Sequence, residues 1–97
     1  MAKFVVEDVF KILGRNWFVI AGRILEGKIK IGMYIEFPEA FNLDGPKCIE
    51  GIEMIHTQGE KRGAIGLGVY YRDEAEWQKL HALPWQGIEL MVVEQLE

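Results

Sequence analysis

The sequence has no serine, one threonine and a single cysteine, Cys48. The lack of serine argues against Ser-His-Asp catalysis and against regulation by serine phosphorylation. One cysteine cannot form an internal disulfide, and neither of the two histidines has a Cys, His or Asp partner at metal-ligand spacing. We therefore predict no catalytic residues and no metal site. We also expect no cofactor, because a core built from 97 residues leaves no volume for a large enclosed group.

Long apolar runs and an excess of positive charge are also missing. No stretch approaches the roughly 20 residues of a membrane-spanning helix, and residues 1–8 lack the apolar segment of a signal peptide. The net charge is -4, so the chain as a whole has no basic footprint of the kind that binds nucleic acid. We expect a cytoplasmic protein without membrane association.

The residues that are present indicate one folded domain over 1–97, since 49% are hydrophobic and 27% are charged. Glycines separate β-branched and aromatic stretches at intervals that suit hairpins. Six short strands of this kind favour a closed barrel or a sandwich. The predicted strands are Phe4–Leu13, Trp17–Leu25, a strand over 29–37 that is broken at Gly32, Cys48–His56, Ala64–Arg72 and Ile88–Val93.

One segment departs from the β pattern. Residues 73–81 are predicted to form one or two helical turns, which Pro84 would end. Asp73 can cap the first turn, and Glu76 stands at the spacing of a capping box. The longest predicted loop is 38–47, which contains the turn-forming residues Pro38, Asn42, Asp44, Gly45 and Pro46.

The first strand carries two adjacent acids. Because neighbouring residues of a strand point to opposite faces, we do not expect Glu7 and Asp8 to serve one ligand together. An acid at position 8 is expected at the barrel rim or hydrogen-bonded to backbone. The alternation predicts that Asp8 shares its face with Phe4, Val6, Phe10 and Ile12.

Glycines and tryptophans give further predictions about packing. Gly66 and Gly68 are expected to leave room for a neighbouring backbone or a bulky side chain. Core burial accounts for Trp17 or Trp77. Trp85, which follows a proline in a loop, is predicted to belong to an exposed patch that a partner contacts.

Several motifs in unbroken order resemble the second domain of elongation factor Tu and related translational GTPases. The likeness runs from about Val5 to Arg72, and more weakly to Gly87. The motifs are Val6-Glu7-Asp8-Val9-Phe10-Lys11-Ile12, Gly14-Arg15, Gly22-Arg23-Ile24, Gly27-Lys28-Ile29-Lys30-Ile31-Gly32, Gly51-Ile52-Glu53-Met54 and Gly66-Leu67-Gly68-Val69.

The resemblance implies an all-β fold, a six-stranded antiparallel closed barrel of the translation-protein type. In the family this barrel helps to hold the aminoacylated 3′ end of tRNA. The positions that would line the corresponding site are Glu7, Asp8, Phe10, Ala21, Glu53 and Gly66. Ala21 stands where the family has threonine and Gly66 where it has asparagine, so two polar groups of the site are missing. The sequence also has no Walker motif, so we expect no GTP binding.

Three functions follow from these observations. The first is a non-catalytic binding or scaffold module that contacts a protein partner, favoured by the acidic charge and by candidate exposed aromatics. The second is an RNA- or tRNA-end-binding module, favoured by the family likeness. The third and least favoured is a small hydrolase or transferase, because no nucleophile–base pair is visible. Phe10 has two readings that mutation can separate, since it is either a docking residue on an outward surface or a core residue.

Overall fold

The computed structural model describes residues 1–12, 14–43, 45–55 and 64–94. The predicted strand ends Leu13 and His56, the loop residue Asp44 and the polar connection over 57–63 lie outside this part. The strands are β1 Ala2–Ile12, β2 Trp17–Glu26, β3 Tyr34–Glu36, β4 Lys47–Ile55, β5 Ala64–Tyr70 and β6 Glu89–Val93, and the helix is α1 Glu74–His81. Neither α1 nor the 3-10 turn at Glu39–Phe41 has the length and apolar character needed to cross a bilayer.

The six strands close into one antiparallel barrel in the order β1-β2-β5-β4-β3-β6, so the predicted barrel is confirmed. Closure gives every strand two neighbours, which covers most of the edges that a small sheet would otherwise expose, although β6 pairs only with the first part of β1. The third strand is much shorter than predicted, because it runs over Tyr34–Glu36, which pairs with β6 and, through its first two residues, with β4. Just before it, the Gly32 N–H and the Met33 carbonyl still bond to the backbone of Ile49 in β4. Gly32, with φ of 97°, turns the chain immediately before β3, so the residues from 29 to 33 do not continue the strand.

The helix begins as the sequence predicts. The Glu76 backbone N–H donates to the Asp73 carboxylate at 2.9 Å, which caps the first turn. The Glu76 side chain accepts from the Arg72 backbone N–H at 2.9 Å, one residue before the cap. It also receives the Lys47 ammonium at 3.3 Å, which ties the helix start to β4. The cap therefore fixes where α1 leaves the barrel.

An aromatic cluster in the hydrophobic core includes two tryptophans, Trp77 from α1 and Trp85 from the segment after it. Trp85 is only 3% exposed, and its indole N–H donates to the Leu80 carbonyl at 2.6 Å. The centroid of its ring lies 4.9 Å from that of the Phe41 ring and 5.4 Å from that of the Phe18 ring. The prediction that Trp85 belongs to an exposed patch is therefore wrong. Its position after a loop proline did not reveal that the segment folds back onto the core.

A bulge divides β1 into two halves with opposite orientations. The pairing with β2 shifts between Val6 and Asp8, so Glu7 is one extra residue in the strand. Before the bulge, Phe4 and Val6 are buried in the core, and after it Phe10 is exposed. Asp8 and Phe10 therefore do not share a face with Phe4 and Val6, contrary to prediction. A slip of one residue reverses every later side chain in a strand, and simple alternation does not contain that slip.

Candidate binding face of the barrel

Four of the predicted site residues lie side by side across four strands. Asp8 of β1 pairs with Ala21 of β2, Ala21 pairs with Gly66 of β5, and Gly66 pairs with Glu53 of β4. We call these residues the carboxylate row. Opposite residues in neighbouring strands lie about 5 Å apart, so the two acids stand roughly 15 Å from each other. Between the two acids lie Ala21 and Gly66, so little or no side chain covers the backbone in the middle of the row.

The row faces away from the core. On β2, Phe18 and Ile20 belong to the core, so Ala21 lies on the opposite side of the strand. On β5 the core residues are Leu67 and Val69, and Gly66 again lies on the opposite side. The two acids of the carboxylate row are exposed. The site is therefore a wall of the barrel, and neither its interior nor one of its ends.

A second row runs beside the first on the same wall. Phe10 pairs with Val19, Val19 with Gly68, and Gly68 lies opposite Gly51. We call it the glycine row. Phe10 is 38% exposed, and it takes its place on this wall because of the bulge in β1. The structure thus favours the outward reading of Phe10 over the core reading.

Trp17 covers the far end of the glycine row. A Cβ atom built on Gly68 would lie 2.9 Å from the indole ring, and one built on Gly51 would overlap it. The ring therefore packs directly on the backbone at Gly51 and Gly68. At Gly68 this agrees with the prediction that the glycine leaves room for a neighbouring backbone or a bulky side chain. On the other side, the Arg15 guanidinium lies 5.0 Å from the ring centroid. We call the two rows together with Trp17 the outer face.

Sequence reasoning placed Trp17 in the core and did not include it in the site. The ring is half-buried, and the residues beneath it are glycines on two other strands. A signal was present, because Gly51 and Gly68 both interrupt strands, where glycine is otherwise unfavourable. Only the register of β2, β4 and β5 shows that the two gaps meet under one side chain.

Glu7 lies beside the carboxylate row and does not belong to it. It is the extra residue of the bulge, and its carboxylate pairs with the Arg23 guanidinium at 3.2 Å. The Asp8 carboxylate accepts from the Val9 backbone N–H at 2.9 Å, so the predicted backbone bond of this acid is confirmed. Glu7 and Asp8 line the same open cleft, contrary to the expectation that they serve opposite faces. The bulge again explains the difference, because it adds a residue at this point.

The outer face therefore combines aromatic surface, from Phe10 and Trp17, with the two carboxylates of the neighbouring row. No group of three or more His, Cys, Asp or Glu side chains arranged to hold a metal occurs in the described ranges. Comparison with known proteins finds no family model that matches the chain and no solved structure that matches it significantly.

Proposed function

We propose that this chain is a non-catalytic binding or scaffold module that contacts a protein partner through the outer face, in the cytoplasm. The observation that carries the proposal is an exposed Phe10 on the same wall as a half-buried Trp17, beside the two acids of the carboxylate row. Interfaces between proteins combine an aromatic centre with a polar rim, and their binding energy concentrates in such aromatic residues.

The shape of the outer face supports the same proposal. Trp17 rests on backbone and has a cation above it, so few rotamers are open to its ring. An aromatic side chain that is already held in place loses little conformational entropy when a partner binds. Ala21 and Gly66 have almost no side chain, which lets a partner's side chain approach the sheet between Asp8 and Glu53.

An RNA- or tRNA-end-binding module is the second candidate. It is supported by the resemblance to the elongation factor barrel, because the positions implied by that resemblance are neighbours in the carboxylate row. Arg15 and Trp17 also form a pair on which a nucleobase can stack. The acids at both ends of the row and the net charge of -4 oppose it, since they repel phosphate. Hydrolase or transferase activity and GTP binding remain outside the proposal.

A capture experiment with matched variants tests the proposal. The immobilised wild-type chain, Phe10→Ala and Ile24→Ala are exposed to the same cytoplasmic extract. Ile24 is 39% exposed, close to the 38% of Phe10, but it lies at the other end of β2. We expect proteins that are retained by wild type and Ile24→Ala and are lost with Phe10→Ala. Retention of the same proteins by all three variants would refute the outer face as the docking surface.

A salt titration against tRNA separates the two candidates. Binding driven by phosphate contacts must weaken steeply as the salt concentration rises, whereas an apolar protein interface is much less sensitive. We expect no tRNA binding at physiological salt. Salt-sensitive tRNA binding that is lost in Trp17→Ala would establish the second candidate in place of the first.

A further inference from the structure

The bulge in β1 has a second consequence, which concerns the backbone. On the side away from β2, the pairing of β1 with β6 ends at Val5. Two more bonds follow, from the Val6 N–H to the Ile88 carbonyl at 2.9 Å and from the Gly87 N–H to the Val6 carbonyl at 2.8 Å. Beyond them β1 continues to Ile12, and in the described part of the chain no strand pairs with this side of it.

The pattern of hydrogen bonds shows which backbone groups face that side. The Tyr71 N–H donates to the Asn16 carbonyl, so the even-numbered residues along β2 direct their backbone groups toward β5. The odd-numbered residues of β2 then face β1, where their partners are the even-numbered positions from 8 to 12. Val9 and Lys11 therefore direct their N–H and C=O groups away from β2. We call this side of 7–12 the β1 edge.

Part of the β1 edge is already occupied and part is open. The Val9 N–H donates to the Asp8 carboxylate. The Lys11 side chain lies on α1, with its ammonium 3.5 Å from the Glu74 carboxylate and 5.0 Å from the Trp77 ring centroid. This position keeps the lysine stem on the helix. Among the described residues, no hydrogen-bond partner lies on the Val9 carbonyl or on the N–H and carbonyl of Lys11.

An open cleft of about 640 Å³ adjoins the edge. It is lined by residues 7–9 on one side and by Leu83, Pro84, Trp85 and Gln86 on the other. Both charged residues in this lining, Glu7 and Asp8, are acids. The Glu7 charge is partly balanced by Arg23, whereas no cation pairs with Asp8 in the described residues. The cleft therefore suits a ligand that carries positive charge.

We propose that the β1 edge takes up an extended peptide segment with basic side chains, which adds as a further strand beside β1. Strand addition uses main-chain hydrogen bonds for affinity and alternate side chains for specificity. The edge offers an acceptor at Val9 and a donor and an acceptor at Lys11, and the acids at 7 and 8 select the basic side chains. A second copy of the chain is not the occupant, because its own β1 edge would bring like acids together. The proposal goes beyond the proposed function, since it uses the backbone edge of β1 and shares only Asp8 with the outer face.

The probe is a blocked octapeptide of alternating lysine and valine, added to the ¹⁵N-labelled chain and followed by NMR. We expect the amide signals of Val9 and Lys11 to shift on binding. A second peptide carries N-methyl groups on those alternate residues whose N–H groups would bond to β1. It should bind about tenfold more weakly, because it cannot form those main-chain hydrogen bonds. The same peptide with glutamate in place of lysine should bind more weakly still. Equal binding of the parent and N-methylated peptides would overturn the proposal.

Two variants at one position provide the matched test on the protein. Lys11→Ala removes the side chain and should retain peptide binding. Lys11→Pro also removes the backbone N–H at the edge. No bond to β2 is lost, because this N–H points away from β2, and proline is tolerated in a strand at such a position. The variant should bind the peptide about tenfold more weakly. Should Lys11→Pro fail to fold, the N-methylated peptide still decides the question. Equal binding by the two variants, when both are folded, would overturn the proposal.

Two further outcomes separate this proposal from its neighbours. Trp17→Ala disturbs the outer face and should leave octapeptide binding unchanged, so failure of the proposed function and failure of the strand addition are distinguishable. If Trp17→Ala abolishes peptide binding, the peptide sits on the outer face and strand addition is overturned. A concentration-dependent dimer of wild type that Lys11→Pro abolishes would overturn the peptide as occupant in favour of a second copy.

Discussion

Two tryptophans of this barrel are packed in opposite ways. Trp85 lies inside, 3% exposed, among the rings of Phe18, Phe37 and Phe41, and a backbone carbonyl satisfies its indole N–H. Trp17 lies outside, half-buried, on the backbone of two glycines, with a guanidinium above it. The Trp85 ring packs against other aromatic side chains, whereas the Trp17 ring packs against backbone at positions that have no side chain.

The comparison separates the packing that stabilises this small barrel from the packing that shapes its surface. Inside the barrel, interlocking aromatic rings exclude water, and any truncation leaves a cavity. On the outer face, two glycines leave space for a large ring to lie on the backbone, with the Arg15 guanidinium on its other side. The inner arrangement therefore contributes chiefly to stability and the outer one to the shape of a surface. The following variants test this division, from the largest expected effect to the smallest.

Trp85→Ala should have the largest effect. Removal of a fully packed tryptophan from a core costs roughly 3–5 kcal/mol, because burial is lost and a cavity remains. The measurement is the free energy of unfolding from a urea titration. Trp17→Ala is the control and should cost clearly less, since its ring is only half-buried. If the two substitutions cost the same, the distinction between inner and outer packing is wrong.

Gly51→Ala should have the next largest effect. A Cβ at this position would overlap the Trp17 ring, and overpacking of this kind typically costs about 1–3 kcal/mol. The substitution should also displace the ring from Gly68. In a double-mutant cycle, Trp17→Ala should remove most of the cost of Gly51→Ala, because the residue that is overlapped is gone. Additive free energies would show that the glycine does not serve the ring.

Phe10→Ala should change stability less than either of these. Its side chain is 38% exposed and meets Val19 across the strands, and such pairs contribute up to about 1 kcal/mol. We therefore expect a loss of about 1 kcal/mol in the free energy of unfolding, together with weaker retention of proteins in the capture experiment proposed above. A loss of 3 kcal/mol or more, roughly the value for a core phenylalanine, would return Phe10 to the core reading.

Arg15→Ala should have the smallest effect. A guanidinium above an exposed aromatic ring contributes about 0.5 kcal/mol, so the melting temperature should hardly move. Indole fluorescence can be followed in a background with Trp77→Phe and Trp85→Phe, in which Trp17 is the one tryptophan left. In this background the fluorescence should nevertheless change when Arg15 is replaced. Arg15→Lys provides the control, because it keeps the charge and loses the planar stacking. Unchanged fluorescence in both variants would show that Arg15 does not hold the ring.

Much of the secondary structure could be predicted because its determinants are local. The glycine-containing turns, the β-branched stretches and the cap at Asp73 each depend on residues close together in sequence. Gly68 was predicted to leave room for a neighbouring backbone or a bulky side chain, and the structure shows the second of these, the Trp17 ring. The alignment of Asp8, Ala21, Gly66 and Glu53 was anticipated only through the family resemblance, not from spacing.

The sequence by itself determined where the turns, the helix and the strands other than β3 form, because those preferences act over a few residues. Only the tertiary structure decided which side of each strand faces the core. One extra residue at Glu7 reverses the orientation of the rest of β1, bringing Phe10 to the outside and leaving the backbone of Val9 and Lys11 on an open edge. Register is set by pairing across the whole barrel. The residues next to them in sequence therefore do not reveal that Trp85 is buried in the core or that Gly51 and Gly68 meet beneath Trp17.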